Sequence, residues 1–292
     1  MHDFEYCVPD NLQEAVNLIS IHRGAASLLA GGTDLILLMR ASRKRPNLVI
    51  DIKKISELTR IELGHSELYL GAAVPCRRVY ENQEVAKKLS GVVDSTKLIG
   101  GIQVQGRGTV GGNLCNASPS ADTIPTLIAY GAKAHIVSAQ KSRNVPVEEI
   151  CLGPGKTSIE EDEILVNLTI PVPPRNSGAK FLRFTPRNEM DISVANAAAW
   201  VELDESGQAF KSARIAIGAV APTPLFVESA GKVMLGQSVN DDVIREAANI
   251  AQDAATPITD MRGTAEHRNH LVKVLVTRAI KAAVQRARGE NV

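Results

Sequence analysis

Apolar residues change their spacing several times along this chain, and each change predicts a different element. Residues 4–8 (FEYCV) form a strand-like run. Pro9 and Asp10 then introduce Leu12, Ala15, Val16 and Ile19 at helical spacing, with Asp10 as the expected N-cap. Residues 27–30 (SLLA) read as a buried strand, 31–34 (GGTD) as a turn, 35–40 as a helix and 47–52 as a second buried strand. Residues 61–63 and 67–70 pair as an expected hairpin, and Pro75 opens a helical stretch reaching toward Ile99. From Gly100 to Gly112 six of thirteen residues are glycine, too many for one continuous helix, so tightly turned backbone is expected there.

The run 171–178 (PVPPRNSG) opposes both helix and sheet and is the natural junction. It predicts an N-terminal domain over 1–175, with subdomains of about 1–57 and 58–175, and a C-terminal domain over 179–288. Beyond the junction, residues 180–185, 195–203 and 210–219 read as three strands, followed by helices over about 239–255 and 265–288. Strands segregated from helices predict an α+β C-terminal domain. With 292 residues, 44% of them hydrophobic, the chain can fill two cores and is long for one domain.

Two segments carry chemistry. In the first, Leu28, Leu29, Ala30, Gly31, Gly32, Thr33, Asp34 and Leu35 lead a buried strand through a glycine turn into a helix. Glycine lets a phosphate approach the backbone, and unpaired N–H groups stabilise its charge. The alternative is a plain strand-to-helix turn with Thr33 or Asp34 as cap. The segment matches neither GxGxxG nor GxxxxGK[ST], so neither a nicotinamide-binding Rossmann unit nor a P-loop is supported. The second segment is 109–122 (TVGGNLCNASPSAD). There Gly111 and Gly112 would admit a pyrophosphate, Thr109 and Asn113 could donate to it, and Asp122 could accept from a ribose hydroxyl. A loop capped by Asp122 is the alternative.

Charge and composition narrow the partners. Lys and Arg number 33 against 32 Asp and Glu, so no basic excess points to nucleic acid. No apolar run reaches membrane-spanning length and the N-terminus lacks a secretory pattern, which predicts a soluble cytoplasmic protein. Cys7, Cys76, Cys115 and Cys151 are widely spaced without a CxxC pair; reduced, mostly buried residues are expected rather than a metal or cluster site. None of the six histidines falls in either glycine segment. His267 and His270 lie one helical turn apart without an evident third ligand, so no metal site and no catalytic residue are assigned.

Taken together, AGGTDL and TVGGNLCNASPSAD resemble the flavoprotein (medium) subunits of the xanthine dehydrogenase and carbon monoxide dehydrogenase family of molybdenum hydroxylases. Residues 187–194 (RNEMDISV), 221–224 (APTP) and 260–268 (DMRGTAEHR) extend the resemblance over nearly the whole chain. It implies an α+β protein: a two-subdomain FAD-binding region of the PCMH/VAO type, then a C-terminal domain with a three-stranded antiparallel sheet and helices. By the same resemblance, Leu28 to Leu35 and Thr109, Val110, Gly111, Gly112 and Asn113 would wrap the pyrophosphate and ribityl portions of FAD. Asp122 would face the adenosine ribose, Ile99 and Gly100 the isoalloxazine ring, Leu165 the adenine half, and Arg183 would lie near FAD. The implied partners are a large molybdopterin subunit and a small subunit with [2Fe-2S] clusters, assembled as a dimer of heterotrimers. Electrons would pass from the clusters through FAD to NAD, a quinone or another acceptor. Two departures stand out: Gln103 to Gly108 differs from the usual stretch before the second glycine motif, and His267 replaces a customary Tyr. A structural FAD or nucleotide module without electron transfer stays open as an alternative. So does a self-contained flavin oxidase, although 3% aromatic content supplies a stacking substrate pocket poorly.

Overall fold

The fold is taken from a computed structural model that describes residues 2–290 and Val292. The chain opens with β1 (Glu5–Cys7) and α1 (Leu12–Ile21). Asn11 caps the helix, its side chain accepting from the Glu14 N–H at 2.9 Å, while the Glu14 carboxylate accepts from the Asp10 N–H at 3.0 Å. The cap expected at Asp10 is thus one residue later, because Asn11 holds the extended backbone (φ −146°, ψ 167°) that aims its oxygen at the first turn. Then β2 (Ala26–Leu29), α2 (Leu35–Arg40) and β3 (Leu48–Asp51) complete a parallel sheet in the order β1-β3-β2, with Leu28 opposite Ile50. Parallel neighbours need crossovers, which α1 and α2 supply. Ala15, Val16, Ile19 and Ile50 fill the core beneath, and α3 (Ser56–Thr59) leads out.

A second sheet follows, beginning with β4 (Ile61–Leu63) and β5 (Glu67–Gly71). The helical stretch expected from Pro75 toward Ile99 is three helices: α4 (Cys76–Tyr80), α5 (Gln83–Lys88) and α6 (Ser90–Thr96). Asn82 restarts the chain by accepting from the Glu84 and Val85 N–H groups, both at 3.1 Å, and Leu89 leaves helical geometry (φ −127°, ψ 50°). The glycine-dense segment holds α7 (Ile102–Gln105) and α8 (Val110–Asn116), and α9 (Thr123–Ala129) follows. The sheet is completed by β6 (Lys133–Val137) and β7 (Ser142–Pro146), with a small ribbon of β8 (Cys151–Gly153) and β9 (Lys156–Thr157) before β10 (Ile164–Pro171). Its order is β4-β5-β10-β6-β7, every pair antiparallel. Central β10 serves two cores: Leu165, Leu168 and Ile170 pack within the second unit, while Ile164 and Val166 reach the core of the first.

The third unit contains the three expected strands, β11 (Ser177–Phe184), β12 (Ala195–Leu203) and β13 (Phe210–Gly218), as an antiparallel meander. A two-residue fourth strand, β14 (Leu225–Phe226), extends it beyond the three-stranded expectation. Helices α10 (Glu228–Lys232), α11 (Asp241–Ala254) and α12 (Ala265–Ala287) follow. Alternation along β12 explains its alanines: Ala197 and Ala199 share a core with α12, while Ala198 packs with Ala129 of α9 and Phe181 on the opposite face. At Gly178 an added Cβ would lie 2.2 Å from the Ala283 carbonyl, so α12 rests directly on β11. Arg286 binds Asp94 through both terminal nitrogens (2.6 and 3.0 Å), tying α12 to α6. Arg214 reaches from β13 to the Ile128 carbonyl (3.0 Å) and Glu148 (2.8 Å).

All four cysteines are free thiols. Cys76 is buried, Cys7 and Cys151 are half-buried, and Cys115 opens onto a cleft, so the expectation of mostly buried cysteines holds only for Cys76. Among the described residues no helix is long and apolar enough to cross a membrane.

Candidate functional site

The two glycine segments meet across one cleft. An added Cβ at Gly31 would lie 2.2 Å from the Arg107 carbonyl oxygen, so backbone meets backbone there. This contact sets the turn after β2 beside the entry to α8. Gly32 takes φ +76°, a conformation glycine adopts without steric cost. The N–H groups of Gly31, Gly32, Thr33, Asp34 and Leu35 donate to no backbone carbonyl among the described residues, leaving a row of donors around the turn. Because α2 has only six residues, these turn amides, more than a long helix dipole, make the spot attractive to an anion.

Opposite, Thr109 caps α8, its hydroxyl oxygen accepting from the Gly112 N–H at 2.9 Å. The two glycines after it differ in use. A Cβ at Gly111 would fall 2.5 Å from the Ala72 carbonyl oxygen, so Gly111 is required for packing. At Gly112 a Cβ would meet only the Thr109 hydroxyl, at 2.8 Å, and otherwise project into the cleft. Gly112 is therefore the glycine that leaves room for a ligand. Asn113 is oriented by Thr123, whose hydroxyl donates to Asn113 Oδ1 at 2.6 Å and whose N–H donates at 3.4 Å. With Oδ1 so engaged, the Asn113 NH₂ is the group left to donate into the cleft.

The cleft comprises two adjoining cavities of about 190 and about 410 Å³, together within the range of small-molecule sites. Leu28, Ala30, Gly31 to Leu35, Ile99, Thr109, Gly112 and Asn113 line the first. The second, walled by Ile19, Ile52 and Leu165, is touched by Leu28, Ala30, Gly111 and Gly112 as well. Turn amides, a glycine without obstruction and apolar walls on either side fit a dinucleotide with a central pyrophosphate.

Some expected site residues stand elsewhere. Leu29 packs behind the turn, Val110 is in the core, and Gly100 (φ +55°) turns against Val104 without lining either cavity. Asp122 departs most from expectation, which gave it a ribose hydroxyl. Its carboxylate accepts from Arg183 Nη1 and from the Ser193 hydroxyl, both at 2.6 Å, and it lines neither cavity. Burial pushes the Asp122 carboxyl above its ordinary pKa, opposed by Arg183 and Ser193. Asp122 and Arg183 thus find each other, a buried ion pair joining α9 to β11. Single-residue patterns could not show this because the partners are far apart in sequence.

A family model described as the FAD binding domain in molybdopterin dehydrogenase matches residues 2–173, and one described as the CO dehydrogenase flavoprotein C-terminal domain matches 180–283. The chain belongs to the FAD-binding subunits of the xanthine and CO dehydrogenase-type molybdenum hydroxylases. It is 32% identical to the xanthine dehydrogenase FAD-binding subunit of Escherichia coli O157:H7, over 99% of both chains. It is 30% identical to the carbon monoxide dehydrogenase medium chain of Afipia carboxidovorans, over 98% of each. The crystal structure of a cyanide-inactivated Cu,Mo-CO dehydrogenase contains a chain that superposes with a TM-score of 0.93 at 29% identity, covering 98% of this chain and 99% of that one. This flavoprotein subunit is accordingly an oxidoreductase component whose cofactor is FAD.

Sequence reasoning missed several cleft residues of the flavoprotein subunit, among them Lys44, Cys115, Thr157 and Glu163. Lys44 sits in an Arg-Lys-Arg run outside both glycine segments, and Glu163 carries no motif. Glu163 is bound by both Arg143 Nε (2.9 Å) and Nη2 (2.7 Å), which hold its carboxyl below the ordinary range. Cys115 is open to the cleft, but the protein atoms crowding its sulfur push the thiol pKa upward, and even an ordinary thiol is largely neutral at physiological pH. His267, the departure from the family's Tyr, packs edge-on against Phe184 at 5.7 Å.

Proposed function

We propose that this chain holds FAD between its two glycine segments and serves as the electron outlet of a molybdenum hydroxylase. In this reading a large molybdopterin subunit oxidises the substrate and a small subunit relays electrons through [2Fe-2S] clusters. When bound, FAD supplies the step between single electrons and an electron pair, for delivery to NAD, a quinone or another acceptor. The chain's own residues bind and orient: the amides of 31–35 and the Asn113 NH₂ donate to the cofactor, Gly112 gives it room, and Leu165 with Ile19 and Ile52 exclude water from one end. None of these groups needs to move a proton.

The observation that carries the reading is the junction at Gly31 and Arg107, where two glycine segments some eighty residues apart share one cleft. We further propose subdomains of about 1–57 and 58–175 and a domain over 179–288, since β10 ends at Pro171 and β11 begins at Ser177. Assembly as a dimer of heterotrimers is proposed from kinship with multi-subunit enzymes such as CO dehydrogenase. The four unpaired thiols suit the reducing cytoplasm.

The decisive test is an absorption spectrum of the purified chain, then heat release and chromatography of its cofactor. Released FAD is the expected result. A chain that carries no flavin and takes up none when FAD is added would overturn the proposal. Electron transfer is tested in the assembled complex, where substrate should bleach the flavin; a flavin that dithionite reduces but substrate does not would leave only a structural module.

A further inference from the structure

We infer that Lys44 is the cationic clamp for the central charge of the bound dinucleotide, an inference that rests on the FAD reading above. The two cavities share five residues: Leu28, Ala30, Lys44, Gly112 and Cys115. These define a waist between two chambers. FAD has a ring system at each end and two negative phosphates in the middle, so an FAD spanning both chambers places its phosphates at the waist. Lys44 alone among the five bears a charge. The neighbouring Cys115, a neutral thiol, neither competes for the cation nor repels a phosphate.

The position of Lys44 is built by the backbone. Ser42 takes a left-handed conformation (φ 55°) just past α2, and the N–H groups of Arg43 and Lys44 both donate to the Leu38 carbonyl, at 2.9 and 3.2 Å. The chain therefore doubles back over the cleft. Of the basic residues 40, 43, 44 and 45, only Lys44 lines the cavities, and it enters none of the ion pairs among the described residues. An unpaired ammonium at a neutral waist attracts a diphosphate as a compact point charge.

The test uses the full chain stripped of flavin and titrated with FAD and with riboflavin, which lacks phosphate, at several salt concentrations. Lys44→Gln is expected to weaken FAD binding about three- to tenfold, as for an exposed charge-assisted contact. It should also flatten the salt dependence and leave riboflavin affinity unchanged, while Lys44→Arg recovers most of the loss. FAD affinity within twofold of the wild type at every salt concentration would overturn the assignment. An equal loss for FAD and riboflavin would overturn it too, by showing an effect of shape and not of charge. A wild-type chain that binds no FAD fails at an earlier point, the FAD reading itself.

Discussion

Replacing Gly112 by Val separates cofactor binding from folding. The new Cβ meets only the Thr109 hydroxyl, at 2.8 Å, and that hydroxyl can rotate away. Losing its cap on the Gly112 N–H costs about 1 kcal/mol, of which exchanging helical Gly for Val returns a few tenths. The fold should therefore survive with a loss below about 1 kcal/mol. Two methyl groups then project into the waist where both cavities meet. A phosphate pushed outward forfeits one or two charge-assisted hydrogen bonds, each worth about 1.5–3 kcal/mol, so Kd for FAD should rise at least about tenfold. Quenching of flavin fluorescence during titration gives Kd, and circular dichroism melts give the fold. Gly111→Ala is the counterpart: its Cβ would lie 2.5 Å from the Ala72 carbonyl, so it should damage the fold first. A Gly112→Val chain that melts like the wild type and binds FAD within threefold of it would refute the cradle.

Thr123→Val removes the bond that fixes the Asn113 amide and should weaken FAD several-fold, with Thr123→Ser restoring it; titrations of both variants decide whether hydroxyl or shape matters. Asp122→Ala leaves the Arg183 guanidinium buried without its partner, and denaturant unfolding should show a loss of about 3–5 kcal/mol; a loss confined to FAD affinity would return Asp122 to the cofactor. Glu163 has a depressed carboxyl pKa, so its stabilisation is present above the ordinary value of 4.5 and disappears as pH falls through the lower folded value. Glu163→Gln should be less stable at neutral pH and lose less on acidification through that window, as followed by melts across the acid range.

Local chemistry was readable where neighbours in sequence are neighbours in space. The strand, glycine turn and helix over 26–40 follow from apolar runs and punctuation, and the long strands after the junction from alternation and turn residues. Asn82 and Leu89 escaped because a helical stretch interrupted by one Asn cap keeps its apolar spacing on both sides. The alanines of β12 make sense only between two layers, with α12 on one face and α9 on the other.

By itself the sequence determined the two glycine segments, their capacity for a phosphate and, through their pairing, the kinship with flavoprotein subunits. Tertiary structure decided which glycine serves which purpose: Gly31 and Gly111 accommodate a facing backbone, while Gly112 faces open space. It also set Asp122 against Arg183 outside both cavities, and it placed Lys44 at the waist of the cleft. The physical reason is common to all three. A residue's type fixes what it can donate, accept or leave empty, but only the packing of segments distant in sequence fixes what stands opposite it.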